Sequence, residues 1–417
     1  MNKPLIETEA SSPLLERNVL TLGLTSMIAT FGNYTWVFFL PIYYNEHFGA
    51  SIPLIGLIYT SWFLVIGIGA APAGALADRY GRKPIVVMAG LISSAAVFLL
   101  AFSNNFILSA IALPLSGLGT SFLQVSNVIV AESVQAKKRG SAFGSFQTLT
   151  YALPSISSII GGISLFNNPD YFFPLFVFGG TLALVATLGR AFFVRETLRG
   201  SDRNASQEMK TSYFAAVGKI FRNRVLLVLI LVYSFYNLIL DQSSYIIPLY
   251  GKFQLSLDPV VLGILFAIIT FISAIARLPF GKLADRIGRQ RTILISWIGE
   301  SLAVYVFVFA PHGALSIALA GISLWSLFGV MDGPAVNAWL ADATDAKSRG
   351  LSMGTFYSAS FLVSVPFFAL AGYSKLLLEK RGAQDCYVLC WEVSEALLFV
   401  ERAINATSAK IPRIEFA

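Results

Sequence analysis

Apolar runs of membrane-spanning length recur along the whole of this chain. A bilayer-crossing helix needs ~20 mostly apolar residues, and such runs fall near 18–44, 53–77, 84–103, 106–131, 141–165, 171–194, 225–250, 258–280, 291–310, 313–340 and 351–374. With 56% hydrophobic and only 13% charged residues, a water-soluble fold could not hide that much apolar surface. The chain therefore reads as an all-α membrane protein. The opening stretch MNKPLIETEASSPLLERN is polar and lacks a charged-then-apolar secretory pattern, so the first span is expected to stay in the mature protein. Cys386 and Cys390 are the only cysteines, which excludes a disulfide framework.

The cations are distributed as strongly as the apolar runs. Lys and Arg gather in alternate loops: Arg79, Arg82 and Lys83; Lys137 to Arg139; eight from Arg190 to Arg224; Lys282, Arg286, Arg289 and Arg291; Lys347 and Arg349. Up to the tenth span, the loops between them hold only Lys252. By the positive-inside rule the basic loops, and with them the N-terminus, face the cytoplasm. The net charge of +7 is thus a topology signal, and no nucleic-acid partner is expected.

One charged phrase occurs twice. GALADRYGRKPIVV from Gly74 returns as GKLADRIGRQRTIL from Gly281, 207 residues later, pairing Gly74 with Gly281, Asp78 with Asp285, Arg79 with Arg286, Gly81 with Gly288 and Arg82 with Arg289. Pro41 and Pro248 share that offset. A second pair, AESVQAKKRGSAFGSF and ADATDAKSRGLSMGTF, stands 210 residues apart and matches Glu132 to Asp342, Arg139 to Arg349 and Gly144 to Gly354. Repetition on this scale implies two similar halves. We divide the chain into a tail (1–17), a first six-helix bundle (18–194), a linker (195–224) and a second bundle (225–417) with five clear helices and an atypical or missing sixth. In the linker, Phe214, Val217 and Phe221 share a helical face beside Lys219, Arg222 and Arg224. That suits a helix lying on the membrane surface as well as it suits a solvated connector.

These residues resemble the signature of the major facilitator superfamily of secondary transporters: Gly-x-Leu-Ala-Asp-Arg-x-Gly-Arg at 74–82 and 281–289, joined by an acidic residue and an Arg-Gly pair near 132–140 and 342–350. The resemblance spans about 18–374. It implies two pseudo-symmetric six-helix bundles that rock about a central cavity, with the doubled phrase acting as a cytoplasmic gate. Asp78 then meets the start of the eleventh helix, where free N–H groups favour an anion and the Gly350/Gly354 spacing allows close approach. Asp285 meets the fifth helix at Gly140 and Gly144. The family also implies pairing of Arg82 with Glu132 and of Arg289 with Asp342, each within one half.

In this family the first and fourth helices of each half line the cavity. Polar side chains at helical spacing there include Ser26, Thr30, Asn33 and Tyr34; Ser116, Thr120, Gln124 and Asn127; Tyr233, Asn237, Asp241 and Tyr245; and Trp325, Asp332 and Asn337. Any single hydroxyl among them can instead serve a helix–helix hydrogen bond. Intramembrane charge is more informative because it is costly. Asp241 has no cation at its level of the seventh helix, whereas Arg277 and Asp332 lie at similar depths and suggest a pair, with Glu300 a second partner for Arg277. That reasoning leaves Asp241 as the candidate proton-coupling residue, beside a purely structural role.

No nucleotide-binding glycine loop, metal-ligand cluster or nucleophile elbow is present. We therefore expect no enzyme activity and no cofactor, a proton gradient as the driving force, and a monomer in the plasma membrane carrying a small molecule. Drug–proton antiporters of the superfamily usually carry Gly-Pro and Gly-Gly in helix 5. Here YALPSISSIIGGISLF has Pro154 and Gly161-Gly162 without the Gly-Pro step, which weakens that reading. A second departure is the place of helix 12, where CYVLCWEVSEALLFVERA is short and holds Glu392 and Glu395. A proton-linked solute carrier, a drug exporter and a non-transporting solute sensor remain as readings.

Overall fold

The computed structural model describes residues 16–168, 170–198, 256–308, 315–344 and 348–378, with isolated positions between 218 and 253. Asn237, Asp241 and Tyr245, the linker beyond residue 198 apart from Gly218, and the place of helix 12 lie outside the described residues.

The described residues are helices joined by short turns. The first half comprises α1 (Arg17–Tyr34), α2 (Leu40–Phe48), α3 (Ile52–Tyr80), α4 (Arg82–Ala101), α5 (Phe106–Leu123), α6 (Val125–Glu132), α7 (Arg139–Tyr151), α8 (Ser157–Asn167) and α9 (Phe172–Phe193). The second half comprises α10 (Pro259–Ile287), α11 (Arg289–Val308), α12 (Leu315–Phe328), α13 (Asp332–Asp342) and α14 (Arg349–Leu378). Six helical stretches among the described residues are long and apolar enough to cross a membrane. Large apolar side chains such as Ile68, Ile107 and Phe192 point outward, a surface that lipid tolerates and water does not.

Several apolar runs that read as single spans are interrupted. The run at 18–44 breaks after Tyr34, where the Thr35 hydroxyl donates to Gly32 O at 2.7 Å and α2 restarts with Pro41 in its first turn. The fourth span bends at Gln124 between α5 and α6, the fifth at Pro154 between α7 and α8, and the tenth at Gly329–Met331 between α12 and α13. Loop ends are capped as their sequences allow. Asn105 accepts from Leu108 N at 2.8 Å to start α5, and Asp258 accepts from Val261 N at 2.9 Å to start α10.

The repeat is visible in backbone geometry. Pro72 lies inside α3 and Pro279 inside α10 at the 207-residue offset. Each helix ends on a glycine of positive φ, Gly81 at 115° and Gly288 at 98°. A side chain is strained there, so the repeated phrase needs glycine at that place.

Candidate functional site

Two of the crossings between the halves are built alike. α3 packs on α14 and α10 packs on α7. The contact is backbone on backbone: a Cβ on Gly74 would stand 2.0 Å from Gly350 O, and one on Gly281 would stand 2.3 Å from Gly140 O. One turn further, Gly354 lies against Ala70 O and Gly144 against Arg277 O, at 2.3 and 2.5 Å from such a Cβ. Small residues bring the helices close enough for side chains at their ends to reach across.

At the Lys/Arg-rich end of these crossings two carboxylates meet the opposite half. Asp78 accepts from Gly350 N at 3.1 Å and Leu351 N at 2.7 Å, the first turn of α14. Asp285 accepts from Gly140 N at 3.0 Å, Ser141 N at 2.7 Å and the Ser141 hydroxyl at 2.6 Å, the first turn of α7. These N–H groups have no partner in their own helix, and the helix dipole adds a further attraction for the anion.

Two separate chains of ion pairs extend these contacts, one from each carboxylate. Arg82 lies 2.9 Å from Asp78 and 3.2 Å from Glu132 within the first half. Arg289 pairs with Asp285 and stands 3.5 Å from Asp342 within the second. The sequence reading anticipated Arg82–Glu132 and Arg289–Asp342 but not the pairs that cross between halves. Arg139 reaches Asp342 at 2.5 Å, and Arg349 reaches Glu132 at 3.6 Å. Each repeated acid thus holds one arginine from its own half and one from the other. Arg79 and Arg286 are exposed; among the described residues neither forms an ion pair, and the Arg79 guanidinium stands 5.2 Å from the Tyr80 ring centroid.

The two copies are not equally buried. The Arg82 side chain is fully enclosed, whereas Arg289 keeps 14% exposure and Asp342 keeps 31%. In the first half the chain just after α9 joins the cluster. Glu196 accepts from Arg82 N at 3.0 Å and Lys83 N at 3.1 Å, capping α4, while the Thr197 hydroxyl donates to Glu132 at 2.6 Å. Glu196 and Thr197 carry no motif, and sequence reasoning passed over them.

Deeper between the halves lies a polar relay. Asn127 donates to Gln124 Oε1 at 3.0 Å and to the Tyr357 hydroxyl at 3.3 Å; that hydroxyl donates to Asn337 Oδ1, and Asn337 donates to Gly333 O at 2.9 Å. Asn127 and Asn337 are equivalent under the 210-residue repeat. Tyr357 on α14 was missed, although its repeat mate Gln147 is also polar.

Toward the opposite end, Tyr34 stacks on Tyr151 with centroids 6.3 Å apart, and the Arg277 guanidinium lies 4.4 Å from the Tyr151 ring centroid. Phe38 stacks on Phe266 at 4.4 Å, again across the halves. Asn33 Oδ1 and Gln147 Oε1 are buried without a hydrogen-bond partner. Ser116 and Thr120, by contrast, donate to carbonyls of their own helix at 2.7 and 3.0 Å.

The inferred Arg277–Asp332 pair does not form. Arg277 turns to Tyr151 in the other half, while Asp332, fully buried, accepts from Trp297 Nε1 at 3.4 Å. Glu300 does not replace Asp332 as the partner, because it accepts from Trp325 Nε1 at 2.9 Å inside the second half. Equal depth in sequence did not mean the same face: α10 points Arg277 across the seam, and the indoles of α11 and α12 receive the carboxylates.

The family model of the Major Facilitator Superfamily matches residues 22–368. An uncharacterized MFS-type transporter of Methanocaldococcus jannaschii is 26% identical over 375 residues, covering 86% of this chain and 88% of that one. The multi-drug resistance efflux pump PmrA of Streptococcus pneumoniae is 27% identical over 336 residues, covering 76% and 80%. Among solved structures, the human organic anion transporter MFSD10 (TETRAN) superimposes with a TM-score of 0.71 at 17% identity, over 93% of this chain and 99% of that one.

Proposed function

Because the chain belongs to the Major Facilitator Superfamily, we propose that it is a secondary active transporter that moves a small organic solute by alternating access and couples that movement to protons. The observation that carries the reading is the mirrored clasp. Asp78 and Asp285 bind helix N-termini of opposite halves at one end, with unpartnered acceptors Asn33 Oδ1 and Gln147 Oε1 deeper in the molecule. A contact made of a few polar bonds at helix ends holds two rigid bundles and still releases them. In this reading the Lys/Arg-rich end is cytoplasmic, the N-terminus lies on that side, and the protein works as a monomer in the plasma membrane.

Asp241 is the residue we assign to proton coupling, since a carboxyl with no cation at its level of the seventh helix can exchange a proton during the cycle. Purified protein in sealed liposomes under an imposed pH gradient tests the scheme against a solute panel. We expect accumulation that a protonophore abolishes. Asp241→Asn should remove accumulation and leave exchange of labelled for unlabelled solute. Binding without any accumulation would mean a sensor and would overturn the transport reading.

Drug–proton antiport is the second reading, favoured by the efflux pump among the relatives, which is 27% identical over 76% of this chain. The same liposomes separate the two, because an antiporter moves solute against the direction of proton flow.

A further inference from the structure

The Arg277–Tyr151 contact leaves a cation with unused chemistry. A guanidinium stacked on a ring engages its face, while its five N–H donors lie in its plane and point outward from the edge. Among the described residues Arg277 makes no ion pair, and no hydrogen bond from its N–H groups is found. It is half-buried on α10, 10 residues before the helix ends at Ile287. A cation held there with its edge open is placed to receive an anion in two-point fashion.

The surroundings narrow the class of anion. Tyr34 stacks on Tyr151, the ring that carries the guanidinium, so two aromatic rings lie together at this point of the seam. Asn33 immediately precedes Tyr34 on α1, and Gln147 precedes Tyr151 by one turn of α7. Each carries a buried amide oxygen that lacks a donor, and that of Gln147 lies against Gly333. A ligand that matches the cation and its two rings carries a carboxylate and a flat apolar body.

Resting on the transporter reading, we propose that the solute is an organic anion, its carboxylate docked on Arg277 and its body lying against Tyr34 and Tyr151. Arg277 belongs to the second half and both tyrosines to the first, so such a ligand is held from both sides of the rocking seam.

Matched probe pairs test this on the full-length protein in detergent: 4-hydroxybenzoate against 4-hydroxybenzamide, and 3-phenylpropionate against 3-phenylpropionamide, with dissociation constants from equilibrium dialysis. Each carboxylate should bind at least tenfold more tightly than its amide. Arg277→Gln should abolish that discrimination. Arg277→Lys, which keeps the charge and loses the fork, should retain part of it and shows that loss in the first variant is not a loss of fold. Amides that bind as well as carboxylates, an absence of binding by both members of each pair, or discrimination that survives Arg277→Gln would each overturn the proposal. Proton-driven accumulation of a neutral or cationic solute would sink the anion site and leave the transporter reading standing. Carboxylate binding without accumulation would do the reverse.

Discussion

The Tyr357 hydroxyl sits between two asparagines that the repeat makes equivalent, accepting from Asn127 of the first half and donating to Asn337 of the second. Removing it leaves both amides without that partner in a buried place, at a cost of ~1–3 kcal/mol. The Asn127 share of that cost falls on the clasped arrangement, because Asn127 and Tyr357 belong to different halves. Tyr357→Phe should therefore favour separation at the basic end. Labelling of a Thr120→Cys reporter from that side, in a background with Cys386→Ser and Cys390→Ser, should rise several-fold; an unchanged rate would mean that the relay does not hold the halves. Gly74 gives a steric version of the same test. Its added methyl would collide with Gly350 O, and overpacking of this kind costs ~1–3 kcal/mol. Gly74→Ala should raise Thr120→Cys labelling as well, with no charge altered.

At the scale of the helix, the decisive feature is that α7 and α14 both begin at the seam. A helix start carries unsatisfied N–H groups and a partial positive charge, and Asp78 and Asp285 satisfy them from the other half. Hydrogen bonds to a charged acceptor contribute ~1.5–3 kcal/mol, against ~0.5–1.5 for neutral ones. Asp78→Asn keeps an acceptor oxygen but loses the charge, so it should open the α3–α14 crossing without unfolding either helix. Cysteine accessibility should increase at the basic end and decrease at the opposite end. A variant whose accessibility pattern matched the parent at both ends would refute the clasp.

Over the whole molecule, the two clasps have no shared hydrogen-bond partner, yet both hold the same pair of rigid bodies. Their free energies should add, so that Asp78→Asn and Asp285→Asn together multiply the labelling increases of the single variants. A double variant no more open than either single would show that the halves do not move as units. Much of this was legible in the sequence. The apolar runs identify a membrane protein, since no soluble packing buries them, and the doubled phrase fixes two halves with Gly81 and Gly288 at turns that only glycine adopts easily. The partners were less legible. Arg139 and Arg349 stood in the repeat, but that each would reach the acid of the other half depends on how closely two glycine-lined crossings approach. Arg277 and Asp332 matched in depth and still part company, because depth along a helix fixes height and leaves direction to packing. Sequence by itself determined which residues must be helical, which end is basic and where the repeat lies, for these follow from local composition and spacing. Tertiary structure alone decided who meets whom across the seam, because a contact between halves depends on the rotation of each helix against its neighbours, which no single stretch of chain encodes.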